Sequence, residues 1–231
     1  MKKHIRQGLF LLLLSVSAHS WASSGFIELR NAWMTGSESD EFKLGGGYNF
    51  DNGAGVLFST LYNLDKFNQL KHSYNELEGW YPIVKYDAWT FNLGSLVDSN
   101  SDGSWGAVYL DNNYRFTDDF NVSLRYRYNY NNHKNLSLDE QMKYNNNHQI
   151  NMYWNYKINQ TWSYTFEPDV YFNTENFNRS NGKDHSWELN NKLVWNWMPH
   201  WRPFFEASWL DRYIESNREQ YRFRVGIRYY F

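Results

Sequence analysis

Residues 221–231, YRFRVGIRYYF, place Tyr221, Phe223, Val225, Ile227, Tyr229 and Phe231 at alternate positions, with Arg222, Arg224, Gly226 and Arg228 between them. A repeat of two is the side-chain period of a β-strand, because successive side chains leave the backbone on opposite faces. One face is therefore aromatic and aliphatic and the other cationic. A strand lying on the core of a soluble sandwich would read the same way, so the rest of the chain must decide between water and lipid.

The alternation recurs upstream. Phe120, Val122, Leu124, Tyr126, Tyr128 and Tyr130 oppose Asn121, Ser123, Arg125, Arg127 and Asn129. His148, Ile150, Met152, Trp154, Tyr156 and Ile158 oppose Gln149, Asn151, Tyr153, Asn155 and Lys157, and Phe42, Leu44, Gly46, Tyr48 and Phe50 oppose Lys43, Gly45, Gly47 and Asn49. Helical spacing fits none of them. Read this way, the sequence predicts twelve strands, near 25–33, 41–50, 54–64, 71–81, 88–97, 105–116, 120–130, 147–158, 161–172, 185–197, 201–210 and 219–231. Most approach the ~9–11 residues that a tilted membrane strand needs and exceed the ~5–6 usual in soluble sheets.

Composition points the same way. Aromatics make up 20% of the residues while the mean hydropathy is −0.79, a combination foreign to a soluble core. A membrane barrel accounts for it, since lipid-facing and lumen-facing residues alternate and cancel in any hydropathy window. The expected fold is all-β, a 12-stranded antiparallel transmembrane β-barrel of the bacterial outer membrane. A terminal strand that ends on an aromatic, with arginines opposite, suits such a barrel.

The N-terminus reads as a secretory leader. Lys2, Lys3 and Arg6 precede the apolar run Gly8 to Val16, and Ser20-Trp21-Ala22 supplies a small-x-small cleavage site. Cleavage is expected after Ala22, leaving residues 23–231 as the barrel. The apolar run is too short to span a bilayer, which takes a helix of ~20 residues. There is no cysteine, so an exported domain must rely on strand pairing rather than disulfides. The leader removes three of 23 basic residues, leaving 20 against 25 acidic ones, a formal −5 that is unlike a nucleic-acid binder.

The connections are expected to alternate. Asp51-Asn52-Gly53, Pro82 to Asp87, Thr117-Asp118-Asp119, Asn159-Gln160 and Met198-Pro199-His200 form a short set. Met34 to Asp40, Asp65 to Leu70, Asp98 to Ser104, Asn131 to Asn146, Asn173 to Asp184 and Asp211 to Arg218 form a longer, Asn- and Ser-rich set. Outer-membrane barrels put short turns in the periplasm and longer loops outside, so an even strand count places both termini in the periplasm. Aromatics crowd the short-turn side (Tyr48, Phe50, Trp80, Tyr81, Trp89, Phe91, Tyr114, Phe116, Trp162, Trp195, Trp197, Trp201 and Tyr229), where a girdle at the lipid boundary belongs.

Five strings carry a further likeness: Gly47-Tyr48-Asn49-Phe50, NELEGWYP at 75–82, YTFEPD at 164–169, NGKDHSW at 181–187 and WLDR at 209–212. Over nearly the whole mature chain the sequence resembles the oligogalacturonate-specific porin family, its small enterobacterial branch above all. The resemblance implies a monomeric 12-stranded barrel, a narrow pore with two basic tracks, and a preference for acidic sugars.

The residues themselves suggest where such tracks lie. Arg222, Arg224 and Arg228 share a face on the last strand, and closure sets that strand beside Arg30 on the first. Arg125 and Arg127, with Arg115 and Lys157 on neighbouring strands, fall six strands away, on the opposite wall. Guanidinium forks suit carboxylates, and a low-dielectric channel focuses their field. The competing view is that these cations merely neutralise Glu28, Asp111, Glu167, Asp169, Glu188 and Glu206, which also point inward. Twelve strands fall between the ~8 that side chains fill and the ~16 that leave an open channel, which implies a narrow pore.

The expected role is passive diffusion of small anionic or neutral saccharides through a monomer in outer-membrane lipid, without cofactor or metal. A barrel hydrolase is the rival. Lys71-His72-Ser73 and Asp184-His185-Ser186, however, put His and Ser on opposite faces of one strand, where they cannot pair. A plugged structural or partner-binding barrel is the third reading.

Overall fold

In the computed structural model the described residues are 24–231 apart from 67–68, 102, 197 and 216; the expected leader and Trp197 lie outside them. Period-two segments become β1 (Ser24–Met34), β2 (Ser39–Asn49), β3 (Gly55–Lys66), β4 (Gln69–Tyr86), β5 (Trp89–Asn100), β6 (Gly103–Arg115), β7 (Phe120–Asn131), β10 (Asn147–Lys157), β11 (Trp162–Asn173), β12 (His185–Trp195), β13 (Trp201–Tyr213) and β14 (Arg218–Tyr230). Two three-residue strands, β8 (Lys134–Leu136) and β9 (Met142–Tyr144), pair only with each other.

The other twelve close into an antiparallel barrel in the order β1-β14-β13-β12-β11-β10-β7-β6-β5-β4-β3-β2. Closure joins the ends of the sheet, with Phe26 opposite Tyr230 and Met34 opposite Arg222. With every edge paired, backbone polar groups are satisfied inside the wall, the condition for spanning lipid.

The two faces separate as the alternation requires. Ile27, Leu29, Phe58, Leu77, Leu93, Val108, Leu124, Phe205 and Val225 are exposed on the outside. Glu28, Ser59, Asp98, Asn151, Asp169, Asn190 and Glu206 are buried inside. On the short-turn rim, rings touch in sequence: Trp89 and Tyr114 have centroids 4.5 Å apart, Tyr114 and Phe116 4.7 Å, Trp162 and Trp195 5.7 Å, and Trp201 and Tyr229 4.6 Å. The turn at 50–54 closes through Gly53, whose φ of +88° is open to glycine at no steric cost.

Three expectations need correction. Trp80 does not join the girdle; its indole lies inside the barrel, over Gly55, so closely that a Cβ there would come within 2.1 Å. Pro82 to Asp87 is not a turn, because β4 continues to Tyr86. Lacking an N–H, Pro82 weakens the ladder, and the register shifts between Pro82 and Val84. The bulge accommodates the proline and leaves Ile83 and Val84 both exposed. Finally, the long-loop side is long only in part: 35–38 and 101–102 are as brief as the opposite turns, whereas 132–146, holding β8 and β9, and 174–184 are extended.

Candidate functional site

The inward faces line a lumen that opens into cavities at its two ends. A cavity of about 490 Å³ lies at the long-loop end, with Tyr74, Glu76, Asp98, Trp105, Arg127 and Arg179 in its wall. A smaller one of about 210 Å³, near Lys192, Arg202, Phe204 and Arg228, lies at the short-turn end.

Between them sits a layer of interlocked side chains. Arg125 donates from Nε to Asp111 Oδ1 at 2.6 Å and from Nη2 to Oδ2 at 3.0 Å, the bidentate fork that guanidinium geometry favours. Its Nη1 lies 3.6 Å from Glu78 Oε1. The same Glu78 oxygen accepts the Tyr109 hydroxyl at 2.5 Å, and the Arg125 guanidinium stacks 4.0 Å from the Tyr109 ring centroid. Tyr153 stands on its other side at 5.7 Å.

The remaining expected site residues are distributed along the lumen. Arg228 donates to Glu28 from Nε at 2.9 Å and Nη2 at 2.5 Å, and Arg30 stands 4.0 Å from the same carboxylate. Arg222 reaches Glu188 at 3.0 Å and Asn190 at 2.9 Å, and Arg224 is bonded to Glu206. Lys157 stands 3.7 Å from Asp119, both exposed on the short-turn rim, where Arg115 is also exposed. Arg127 donates Nε to Asn129 at 2.6 Å and lines the larger cavity. The strand order sets β7 six places from β1 whichever way the ring is followed, so the β1–β14 cations and the β7 cations stand on opposed walls.

Most of these cations have a carboxylate partner, as the competing sequence view held. That view named Glu28, Asp111, Glu167, Asp169, Glu188 and Glu206, and among them Glu28, Asp111, Glu188 and Glu206 are in ion pairs. Asp169 is held by amides instead, accepting from Asn151 at 2.6 Å and Asn190 at 3.2 Å.

Sequence reasoning passed over four inward cations. Lys43 donates to Glu76 at 2.9 Å, and its inward parity was legible. Lys192 lies 4.1 Å from the Phe204 ring, also at a legible inward position of β12. Arg202 stands at the short-turn rim, its guanidinium on the Met198 carbonyl. Arg179 belongs to segment 174–184, where no periodicity could have placed it.

The Asp184-His185-Ser186 motif behaves as its spacing requires, whereas Ser73 of the other falls at a register shift between Tyr74 and His72. His185 bonds Asp184 at 2.7 Å, while Ser186, on the other face, accepts from Arg179 Nε at 3.2 Å. His72 bonds Asn75 at 3.2 Å.

Comparison with known proteins completes the description. The N-acetylneuraminic acid outer membrane channel protein NanC of Escherichia coli (strain K12) is 24% identical over 237 residues, covering 98% of each chain. The oligogalacturonate-specific porin KdgM of Dickeya dadantii (strain 3937) is 26% identical over 175 residues, 71% of this chain and 70% of that one. The solved NanC porin in its rhombohedral crystal form superposes with a TM-score of 0.81 at 22% identity, covering 88% of this chain and 98% of that one. A family model described as oligogalacturonate-specific porin protein (KdgM) matches residues 16–231, and the chain therefore belongs to that porin family.

Proposed function

We propose that the chain is an outer-membrane channel for passive diffusion of small, mainly acidic sugars, with Arg30, Arg222, Arg224 and Arg228 on one wall and Arg115, Arg125, Arg127 and Lys157 on the other. The observation that carries this reading is the six-place separation of β1 and β7 around a lumen with a cavity at each end. Paired guanidiniums keep donors to spare, for a carboxylate partner takes at most two of the five N–H groups. Repeated weak sites of this kind let an anion pass without a deep trap, and low-dielectric walls strengthen the local field although the chain as a whole is slightly acidic. The names of NanC and KdgM, an acetylneuraminate channel and an oligogalacturonate porin, support the substrate class.

The same reading has residues 1–22 removed on export, a monomer in outer-membrane lipid, both termini in the periplasm, and no enzymatic activity. His185 bound to an exposed aspartate beside an inward-facing Ser186 supports the last point. Phospholipid turnover in the presence of calcium that disappears in His185→Ala would contradict it. The Arg125 layer favours one alternative, a plugged structural barrel.

Planar-bilayer recording in a salt gradient tests the channel and its walls together. The wild-type reversal potential is expected to show anion preference. Replacing all eight cations by Gln leaves the inward carboxylates unopposed, so the preference should reverse to cations. An anion preference that survives the eight replacements, in protein whose heat-modifiable migration shows a closed barrel, would remove the assigned role. A closed barrel without conductance would favour the plug.

A further inference from the structure

The larger cavity differs in charge from the layer beneath it. Among the described residues, no carboxylate lies within 4.0 Å of the Arg127 or Arg179 guanidinium, whereas Arg30, Arg125, Arg222, Arg228 and Arg224, the last also in the cavity wall, each have one. Each of the two is fixed through Nε, Arg127 to Asn129 and Arg179 to Ser186. Arg179 is further held over the Tyr171 ring, its guanidinium carbon 4.6 Å from the centroid. Among the described residues, their terminal amino groups make no hydrogen bond or ion pair, and both residues line the cavity.

The β4–β5 wall of the same cavity carries two carboxyl groups, Glu76 and Asp98. Glu76 takes Lys43 and Ser59 on one oxygen, Oε1. Asp98 is buried, and its Oδ1 accepts no hydrogen bond among the described residues. A buried acceptor left unmade is costly, and this oxygen is shut off from the cavity behind Glu76's wall, so Asp98 backs the site rather than touching a solute. Tyr74 and Trp105, with centroids 5.7 Å apart, form an aromatic edge beside it. In the strand order β5 lies two places from β7, which carries Arg127, and four to five from β11 and β12, whose loop carries Arg179.

We propose that the long-loop end of the lumen is a bipolar solute site, in which Arg127 and Arg179 hold the single carboxylate of an acidic monosaccharide while Glu76, with the buried Asp98 behind it, accepts hydrogen bonds from its hydroxyl or amide groups. The volume of about 490 Å³ falls within the ~300–1,000 Å³ usual for small-molecule sites. The arrangement selects against polyuronates, because a second carboxylate one residue along the sugar chain would be driven towards Glu76 and Asp98, and like charges in a narrow channel repel strongly. The inference rests on the channel reading and sharpens it from acidic sugars in general to singly charged ones.

The test is current block of the full channel in planar bilayers by D-galacturonate, trigalacturonate and D-galactose. Galacturonate is expected to halve the current at a lower concentration than either of the others. Arg179→Gln and Arg127→Gln should each raise its half-blocking concentration about tenfold, the weight of one hydrogen bond to a charged group, and leave galactose unchanged. Asp98→Asn should strengthen block by trigalacturonate. Galacturonate block indifferent to both arginine replacements, or trigalacturonate blocking the wild type more tightly than the monomer, would overturn the bipolar site while leaving an anion-selective channel intact. A wild-type channel that is cation-selective or silent would instead sink the channel reading on which the site rests.

Discussion

The Arg125 guanidinium on β7 lies 3.6 Å from the Glu78 carboxylate on β4, three places away round the ring of strands. A contact between wall positions so far apart is a chord across the lumen. With Asp111 gripping the same guanidinium and Tyr109 and Tyr153 flanking it, the chord divides the two cavities.

Arg125→Ala removes the chord and the charge together. Single-channel conductance should rise, and selectivity should move towards cations because Asp111 and Glu78 lose their partner. The barrel should also lose stability, by less than the ~3–5 kcal/mol typical of a broken dry ion pair, since the lumen is wetted. Arg125→Lys cannot span both Asp111 oxygens, and its conductance should fall between the two. Equal conductance in all three proteins would mean that the chord does not limit flow.

Tyr109 owes its position to Gly94, where an added Cβ would stand 2.1 Å from the ring carbon Cζ. Gly94→Ala should push the ring aside, cost about 1–3 kcal/mol as overpacking does, and break the 2.5 Å bond to Glu78. Tyr109→Phe loses only the hydroxyl, at roughly 1–2 kcal/mol. Urea midpoints of the heat-modifiable transition measure both. Gly94→Ala combined with Tyr109→Ala should be no worse than Tyr109→Ala alone, and a further loss there would show that the glycine serves another purpose.

The β8–β9 hairpin is tied to its neighbour loop by Lys143, which bonds Asp139 at 2.7 Å and stands 3.5 Å from Glu175. The hydrogen bond from Lys143, helped by Ser137, holds the Asp139 carboxyl below its usual value, and the same bond raises the Lys143 ammonium. A lowered acid stabilises the fold above its unfolded pKa of ~3.9 and loses that effect as pH falls through the folded value; a raised base does so below ~10.4 and fails as pH rises further. The hairpin should therefore stay anchored from mildly acid to mildly alkaline solution and become protease-sensitive below about pH 4. Asp139→Asn should abolish the acid limb, and because the pair is exposed, high salt should imitate it. A cleavage rate flat from pH 3 to 7 would contradict this.

Alternation made the wall legible. For the strands at 42–50, 120–130, 148–158 and 221–231 it separated the two faces, and elsewhere it found the inward acids that pair with Arg125, Arg222, Arg224 and Arg228. It erred where parity is not the deciding quantity. Trp80 was placed in the girdle because large indoles favour the lipid boundary, yet it fills space above Gly55, a fit between neighbouring strands that no single strand records. The Pro82 bulge preserved a strand that proline chemistry alone would end. Chords such as Arg125 to Glu78 depend on side-chain reach and barrel radius, and Arg179 depends on the path of an aperiodic loop, so neither could be read from spacing.

Closure of β1 on β14, from Phe26 opposite Tyr230 to Met34 opposite Arg222, governs how the molecule is made. Until these two most distant segments meet, the growing sheet carries two raw edges that invite pairing with other chains and that hydrocarbon cannot tolerate. Contacts separated by nearly the whole sequence form slowly. The unclosed intermediate must therefore be shielded between export and insertion, and a lesion in 221–231 harms assembly before it harms permeation.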